Sequence, residues 1–252
     1  MNRDAELYLS LLDLTSLNKA TDSEESIREL CAKAQSPVRV AAVCVYPEFV
    51  RVAKQALGDS GVSVATVINF PEGRSTPEEC ADAIKAAQSA GADEIDFVIP
   101  WEAFKRDWET DQDAAEAALA AYVTKMVEIS QPCKTKSILE TSQLNFNQIR
   151  SAAHVCANCG VDFVKTSTGK VEGGATVDSV KIMAEAVKGS GRNCGVKPSG
   201  GIKTESDCKD LLYAVCDVLG PEWACKERFR FGASSVRNNL LGQTATNATA
   251  SY

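Results

Sequence analysis

Short apolar runs rich in β-branched residues alternate with helical stretches along the whole chain, and this rhythm constrains the fold more than any single motif. Seven runs are V-A-A-V-C-V-Y (40–46), V-S-V-A-T-V-I-N-F (62–70), E-I-D-F-V-I (94–99), T-K-S-I-L-E-T (135–141), D-F-V-K-T-S-T (162–168), C-G-V-K-P-S (194–199) and F-R-F-G-A-S-S (229–235). An eighth, L-L-D-L-T-S-L (11–17), comes first in order. The helices between them carry their own end signals. Thr76-Pro77-Glu78-Glu79 combines an N-cap, a first-turn proline and a capping-box glutamate before a helical stretch that stops at Gly91. N-Q-I-R-S-A-A-H-V-C-A-N-C stops at Gly160 in the same format, with V-D-F-V-K following.

Strands alternating with helices require a parallel sheet. Eight such units in 252 residues predict a single (β/α)8 TIM barrel. An open doubly wound sheet would carry G-x-G-x-x-G after its first strand, and none is present. No Pro-rich, Gly/Ser-rich or strongly charged linker interrupts residues 1–252, so one domain is expected. The closing T-A-T-N-A-T-A-S-Y has the composition of a flexible tail over about 240–252.

The residue content limits partners. With 44% apolar and 24% charged residues, the chain matches a soluble globular protein with a sizeable core. A net charge of -7 disfavours nucleic acid but leaves room for a small anion in a local basic pocket. M-N-R-D-A-E-L lacks the pattern of a signal peptide, and no apolar run approaches a membrane span. The ten cysteines sit among apolar neighbours, as in A-V-C-V-Y, and read as reduced thiols of a cytoplasmic protein.

In a barrel, catalytic groups come from the C-terminal ends of the strands. The polar residues placed there are Asp13, Thr15, Cys44, Asn69, Asp96, Lys136, Glu140, Lys165 to Lys170, Lys197 to Lys203, and Gly232 to Ser235. Several chemistries fall away. The only histidine, His154, lies in a helical stretch, which disfavours Ser-His-Asp or Cys-His catalysis. H-E-x-x-H and paired C-x-x-C zinc ligands are absent. The lone Cys156-Ala-Asn-Cys159 reads either as a metal or redox pair or, more simply, as small helix residues before Gly160. S-T-G-K fails as a phosphate-binding P-loop, because Val164 replaces the first glycine and Val171 the metal-binding hydroxyl.

Lysine chemistry remains. Lys165 ends an apolar strand and, by alternation, faces the barrel interior, where an ammonium is costly to bury. Either it pairs with a buried carboxylate such as Asp96 or Glu140, or it is a Schiff-base nucleophile. The second role needs a neutral amine, which burial and a neighbouring ammonium both favour. Lys197 holds the matching place in the next strand, about 4.8 Å away if the strands are adjacent. The loops after the seventh and eighth strands, Ser199-Gly200-Gly201-Ile202-Lys203 and Gly232-Ala233-Ser234-Ser235, fall where barrels bind phosphate, and Thr168-Gly169-Lys170 adds a cation.

V-K-T-S-T-G-K, G-V-K-P-S-G-G-I-K-T, A-D-E-I-D-F-V and F-R-F-G-A-S-S resemble the motifs of the deoxyribose-phosphate aldolases. So do L-D-L-T-S-L, A-A-V-C-V-Y-P and N-F-P-E-G, all in the family's order from residue 11 to 235. The resemblance implies a class I aldolase, without metal or other cofactor, that reversibly cleaves 2-deoxy-D-ribose 5-phosphate to D-glyceraldehyde 3-phosphate and acetaldehyde. It implies a place in deoxyribose phosphate catabolism and a homodimer. It further implies that Lys165 forms the Schiff base, that Lys197 lowers its pKa, and that Asp96 relays protons. Gly169, Lys170, Gly200, Gly201, Gly232, Ser234 and Ser235 would surround the phosphate, with Asp13, Thr15 and Cys44 near the substrate. Ser199 departs from the alanine of many relatives. The final Tyr252 resembles the tyrosine end of some members, where it aids proton transfer. The rivals are another Schiff-base barrel, such as a transaldolase or pyruvate-dependent aldolase, and a barrel retained as a binding or adaptor protein.

Overall fold

The eight apolar runs form eight parallel strands in a computed structural model that describes residues 2–243. These are β1 (Leu12–Thr15), β2 (Ala42–Val45), β3 (Ser63–Ile68), β4 (Glu94–Val98), β5 (Lys134–Ile138), β6 (Phe163–Lys165), β7 (Gly195–Lys197) and β8 (Phe231–Ala233). Each pairs in parallel with its neighbour in the order β7-β6-β5-β4-β3-β2-β1-β8. Bridges at Val196–Phe229 and Ser199–Gly232 join β7 to β8 and close the sheet. The chain is a (β/α)8 TIM barrel, as its sequence rhythm requires.

The helices are α1 (Arg3–Ser10), α2 (Glu24–Gln35), α3 (Val50–Leu57), α4 (Pro77–Ala90), α5 (Trp101–Trp108), α6 (Gln112–Ser130), α7 (Phe146–Asn158), α8 (Val177–Ser190), α9 (Glu205–Leu219) and α10 (Val236–Leu240). Their boundaries follow local chemistry. Thr76 and Glu79 form the expected reciprocal capping box of α4, and Gly91 ends that helix in the left-handed region at φ 101°. Asn145 with Gln148, Thr176 with Ser179, and Thr204 with Asp207 repeat the device on α7, α8 and α9. The helix α1 has no counterpart among the sequence-predicted elements. It buries Ala5, Tyr8 and Leu9, with Tyr8 edge-on to Phe231.

Every strand is shorter than its apolar run, and β6, β7 and β8 keep only three residues each. Residues 166–168, 198–199 and 234–235 leave the ladder as loops, where side chains replace backbone pairing. Thr166 Oγ1 donates to Ser199 O, Ser199 N donates back to Thr166 Oγ1, and Ser199 Oγ donates to Ser167 O at 2.6 Å. At the C-terminus, α10 keeps the chain in the body to Leu240, which is buried, so order extends into the expected tail. Residues 244–252, including Tyr252, lie outside the described residues.

The two faces of the sheet meet different surroundings. Outward side chains such as Leu12, Val43, Val64, Ile95, Phe97, Val164, Val196 and Phe231 pack with the helices in one continuous apolar core. Alternation turns Asp13, Cys44, Glu94, Asp96, Lys136, Phe163, Lys165 and Lys197 inward. Among the described residues, no helix is long and apolar enough to cross a membrane.

Candidate active site

Register brings the charged side chains together. Lys165 on β6 lies directly beside Lys197 on β7, and Asp96 on β4 beside Lys136 on β5. Asp96 sits at the centre of the cluster. Its Oδ2 accepts from Lys165 Nζ at 3.0 Å and from Lys197 Nζ at 2.8 Å, and its Oδ1 accepts from Lys136 Nζ at 2.7 Å. Lys197 also donates to Asp13 Oδ2 at 2.5 Å. Lys136 reaches Glu94 at 2.5 Å. Arg230 completes the set, donating to Asp13 Oδ1 at 2.6 Å and to Glu94 Oε1 at 3.0 Å. All are buried, and Lys165 is the most accessible of the seven at 4% exposure.

The cluster holds four basic side chains and three carboxylates, which explains how its pKa values separate. Burial alone would favour the neutral form of every member. For Asp96, that effect is overcome by Lys136, Lys197 and Lys165, which hold it well below the usual carboxylate range. Asp13 and Glu94 are likewise held ionised. Lys136 and Lys197 touch two or more carboxylates each, so their ammonium forms are favoured despite burial. Lys165 touches one. Burial, opposed by Asp96 and assisted by Lys197, lowers its pKa from the ordinary lysine value. Of the two sequence readings of Lys165, the geometry shows the pairing with a buried carboxylate, Asp96, and among the three lysines of the cluster Lys165 is the one whose pKa is lowered.

Above the cluster, at the C-terminal ends of the strands, lie the other expected site residues. Thr15 is half-buried and donates through Oγ1 to Asp13 O at 2.9 Å. Cys44 is buried at the end of β2, where burial, Asp96 nearby and the opposing lysines leave its thiol pKa raised. Glu140, also with a raised pKa because of its burial, accepts from Thr168 Oγ1 at 2.5 Å and orders the loop after β6. Beyond it, Lys170 crosses the mouth to donate from Nζ to Leu17 O at 2.5 Å. Gly200 and Gly201 both have positive φ, 81° and 77°. A Cβ on Gly200 would stand 3.2 Å from Gly174 Cα, so a glycine there lets the loops after β6 and β7 touch. The amides of Gly201, Ser234 and Ser235 donate to nothing among the described residues, and with Gly169 and Lys170 they rim one side of the mouth.

Two expected substrate contacts have other positions. Gly232 is within β8 rather than in the loop beyond it, and its amide donates to Pro198 O at 2.9 Å. An added Cβ would lie 3.2 Å from Lys197 Cε, so this glycine makes room for the lysine. Asp13 lies under the mouth with both oxygens occupied by Lys197 and Arg230. Sequence reading assigned no role to Lys136, Glu94 or Arg230. Their signal was a charge at every second position, Glu94-x-Asp96, and a charge between apolar strand residues, Phe229-Arg230-Phe231.

A family model for the DeoC/LacD family aldolases matches residues 7–242. Among solved structures, a protein from Coccidioides immitis, provisionally assigned as a deoxyribose-phosphate aldolase, is 29% identical. That alignment covers 96% of this chain and 87% of that one, with a TM-score of 0.80. A similarly assigned protein from Toxoplasma gondii is 25% identical over 95% of this chain and 96% of its own, at a TM-score of 0.84. The deoxyribose phosphate aldolase of Aeropyrum pernix, described as tetrameric, is 26% identical over 94% and 91% of the two chains, at 0.75.

Proposed function

The chain belongs to the DeoC/LacD aldolase family, and from that premise we propose that it cleaves 2-deoxy-D-ribose 5-phosphate through a Schiff base on Lys165. It is an aldolase, a lyase acting on carbon–carbon bonds. The observation that carries the finer reading is Lys165 itself. It is a buried amine at the barrel mouth, with one carboxylate partner among the described residues and a pKa lowered by burial, beside Lys170 and a rim of amides that donate to nothing among those residues.

Neutral Lys165 adds to the C1 carbonyl of the open-chain sugar, and loss of water leaves an iminium. That cation accepts the electron pair of the C2–C3 bond as the C3 hydroxyl proton leaves, giving an enamine and D-glyceraldehyde 3-phosphate. Protonation of the enamine carbon and hydrolysis release acetaldehyde and restore the amine. Asp96 Oδ2 receives hydrogen bonds from both Lys165 and Lys197, so a proton leaving one amine has a bonded route toward the other. General acid–base steps of this kind contribute about 10²–10⁴ in rate. Gly169, Lys170, Gly200, Gly201, Ser234 and Ser235 would hold the phosphate. Asp13 would act from beneath, through Lys197, and Thr15 and Cys44 would line the approach to the carbonyl.

Incubation with acetaldehyde and a borohydride reductant, followed by peptide mass spectrometry, tests the reading. A single ethylated lysine at Lys165, absent from Lys165→Ala, is expected, with cleavage of 2-deoxy-D-ribose 5-phosphate preferred across a panel of phosphorylated sugars. Scattered labelling of surface lysines would refute the nucleophile. Preference for another sugar phosphate would refute the substrate and favour a transaldolase-like or pyruvate-dependent barrel.

A further inference from the structure

Arg230 lies on β8-side backbone just below the mouth, 2% exposed, and does not touch Lys165. It grips Asp13 and Glu94, and these two carboxylates in turn hold Lys197 at 2.5 Å and Lys136 at 2.5 Å. Its Nε donates to Lys226 O and its guanidinium lies 5.3 Å from the centre of the Phe163 ring, so it is fixed in place. A guanidinium does not deprotonate in a protein, whereas a buried lysine amine does so readily.

We propose that Arg230 and Glu94 are positioning residues for the Schiff-base centre, setting through the Asp13–Lys197 and Lys136–Asp96 contacts how readily Lys165 gives up its proton. The inference rests on the reading of Lys165 as nucleophile. With Arg230, Lys136 and Lys197 positive, the charges of Asp13, Glu94 and Asp96 are balanced, and a proton on Lys165 is surplus. Removing the guanidinium leaves three carboxylates to two ammonium groups, and Lys165 is the nearest group able to restore neutrality by keeping its proton. Removing the Glu94 charge has the opposite effect. Among the described residues, the other titratable groups facing Lys165 are Cys44 from β2, Glu140 after β5 and Lys197 from β7. Both substitutions leave those in place.

The readout is the pH dependence of the rate at which acetaldehyde and cyanoborohydride label Lys165, located by peptide mass spectrometry, since imine formation needs the neutral amine. Arg230→Gln should move the midpoint of that profile up by about one pH unit, the scale of a single charge lost from a buried cluster at an effective dielectric near 20. Glu94→Gln should move it down by a similar amount, and Arg230→Lys should return it toward the parent value. A general loosening of the barrel would move the two charge-removing variants in the same direction. Shifts of equal sign, or unmoved midpoints with Lys165 still labelled, would overturn this inference while leaving the nucleophile intact. Absence of labelling at Lys165 in the parent protein would overturn both. If Arg230→Gln does not fold, the downward shift expected of Glu94→Gln, set against the near-parent midpoint expected of Arg230→Lys, still decides the matter.

Discussion

Asp96→Asn isolates the charge at the centre of the barrel, because asparagine keeps the shape and one carbonyl oxygen. The parent carboxylate receives Lys165, Lys197 and Lys136 at 3.0, 2.8 and 2.7 Å. After substitution, four basic groups face two carboxylates, and an amide NH₂ is pressed against an ammonium. An uncompensated buried charge of this sort costs about 3–5 kcal/mol. The cluster escapes part of that cost by releasing the Lys165 proton, whose folded pKa is already lowered from 10.5. At neutral pH the expected loss is therefore about 3 kcal/mol, or roughly 6–12 °C in Tm for a domain of this size. The sign of its pH dependence follows from proton counts. In the variant the unfolded chain carries a Lys165 proton that the native state lacks, so stability rises with pH by up to about 1.4 kcal/mol per unit. The parent gains the same slope only from its own, higher, folded value. Asp96 itself stays ionised in the parent down to strong acid and contributes nothing to the slope in this window. The deficit between variant and parent should narrow as pH rises through the interval between the variant's Lys165 pKa and the parent's higher one, and chemical denaturation across a series of pH values below the ordinary lysine range would measure it. A deficit that stays constant, or one below about 1 kcal/mol, would refute the view that the Asp96 charge sets the proton balance at Lys165.

Gly232→Ala tests the room made for Lys197: the new Cβ would lie 2.7 Å from Ser199 Cβ and 3.2 Å from Lys197 Cε, so thermal unfolding should report about 1–3 kcal/mol of destabilisation. Turnover should fall with it, whereas a neutral effect would show that the barrel wall yields at this point. Lys170→Ala removes a cation from the rim without touching the buried cluster. KM for a phosphorylated substrate should rise about tenfold or more with kcat little changed, as for a uniform binding contact. Steady-state kinetics giving a fall in kcat alone would take Lys170 out of the phosphate site.

Much of this protein was legible before any coordinates. Eight β-like runs punctuated by capped helices left little but a parallel barrel, since period and capping are properties of a local stretch of chain. Thr76, Glu79 and Gly91 marked one helix correctly at both ends for that reason. Lys165 and Lys197 were conspicuous because an ammonium inside an apolar strand demands a reason. Run length was a poorer guide. The ends of β6 and β7 could not be located from apolar character, because Thr166 and Ser199 satisfy the backbone with side chains that a ladder would otherwise pair.

What the tertiary structure alone decided is which charges meet. Asp13 and Arg230 are 217 positions apart in the chain, and Glu94 and Arg230 are 136 apart, yet both pairs are in contact. Their meeting depends on closing the barrel between β7 and β8 and on the register around it, which no local pattern encodes. The same closure turned Gly232 from a presumed loop amide into the gap that admits Lys197. The sequence by itself singled out Lys165 and supplied the scaffold. Whether that lysine is charged depends on the sum of ion pairs across seven buried side chains, because electrostatic energy in a dry interior is long-ranged and belongs to the assembled cluster rather than to any one strand.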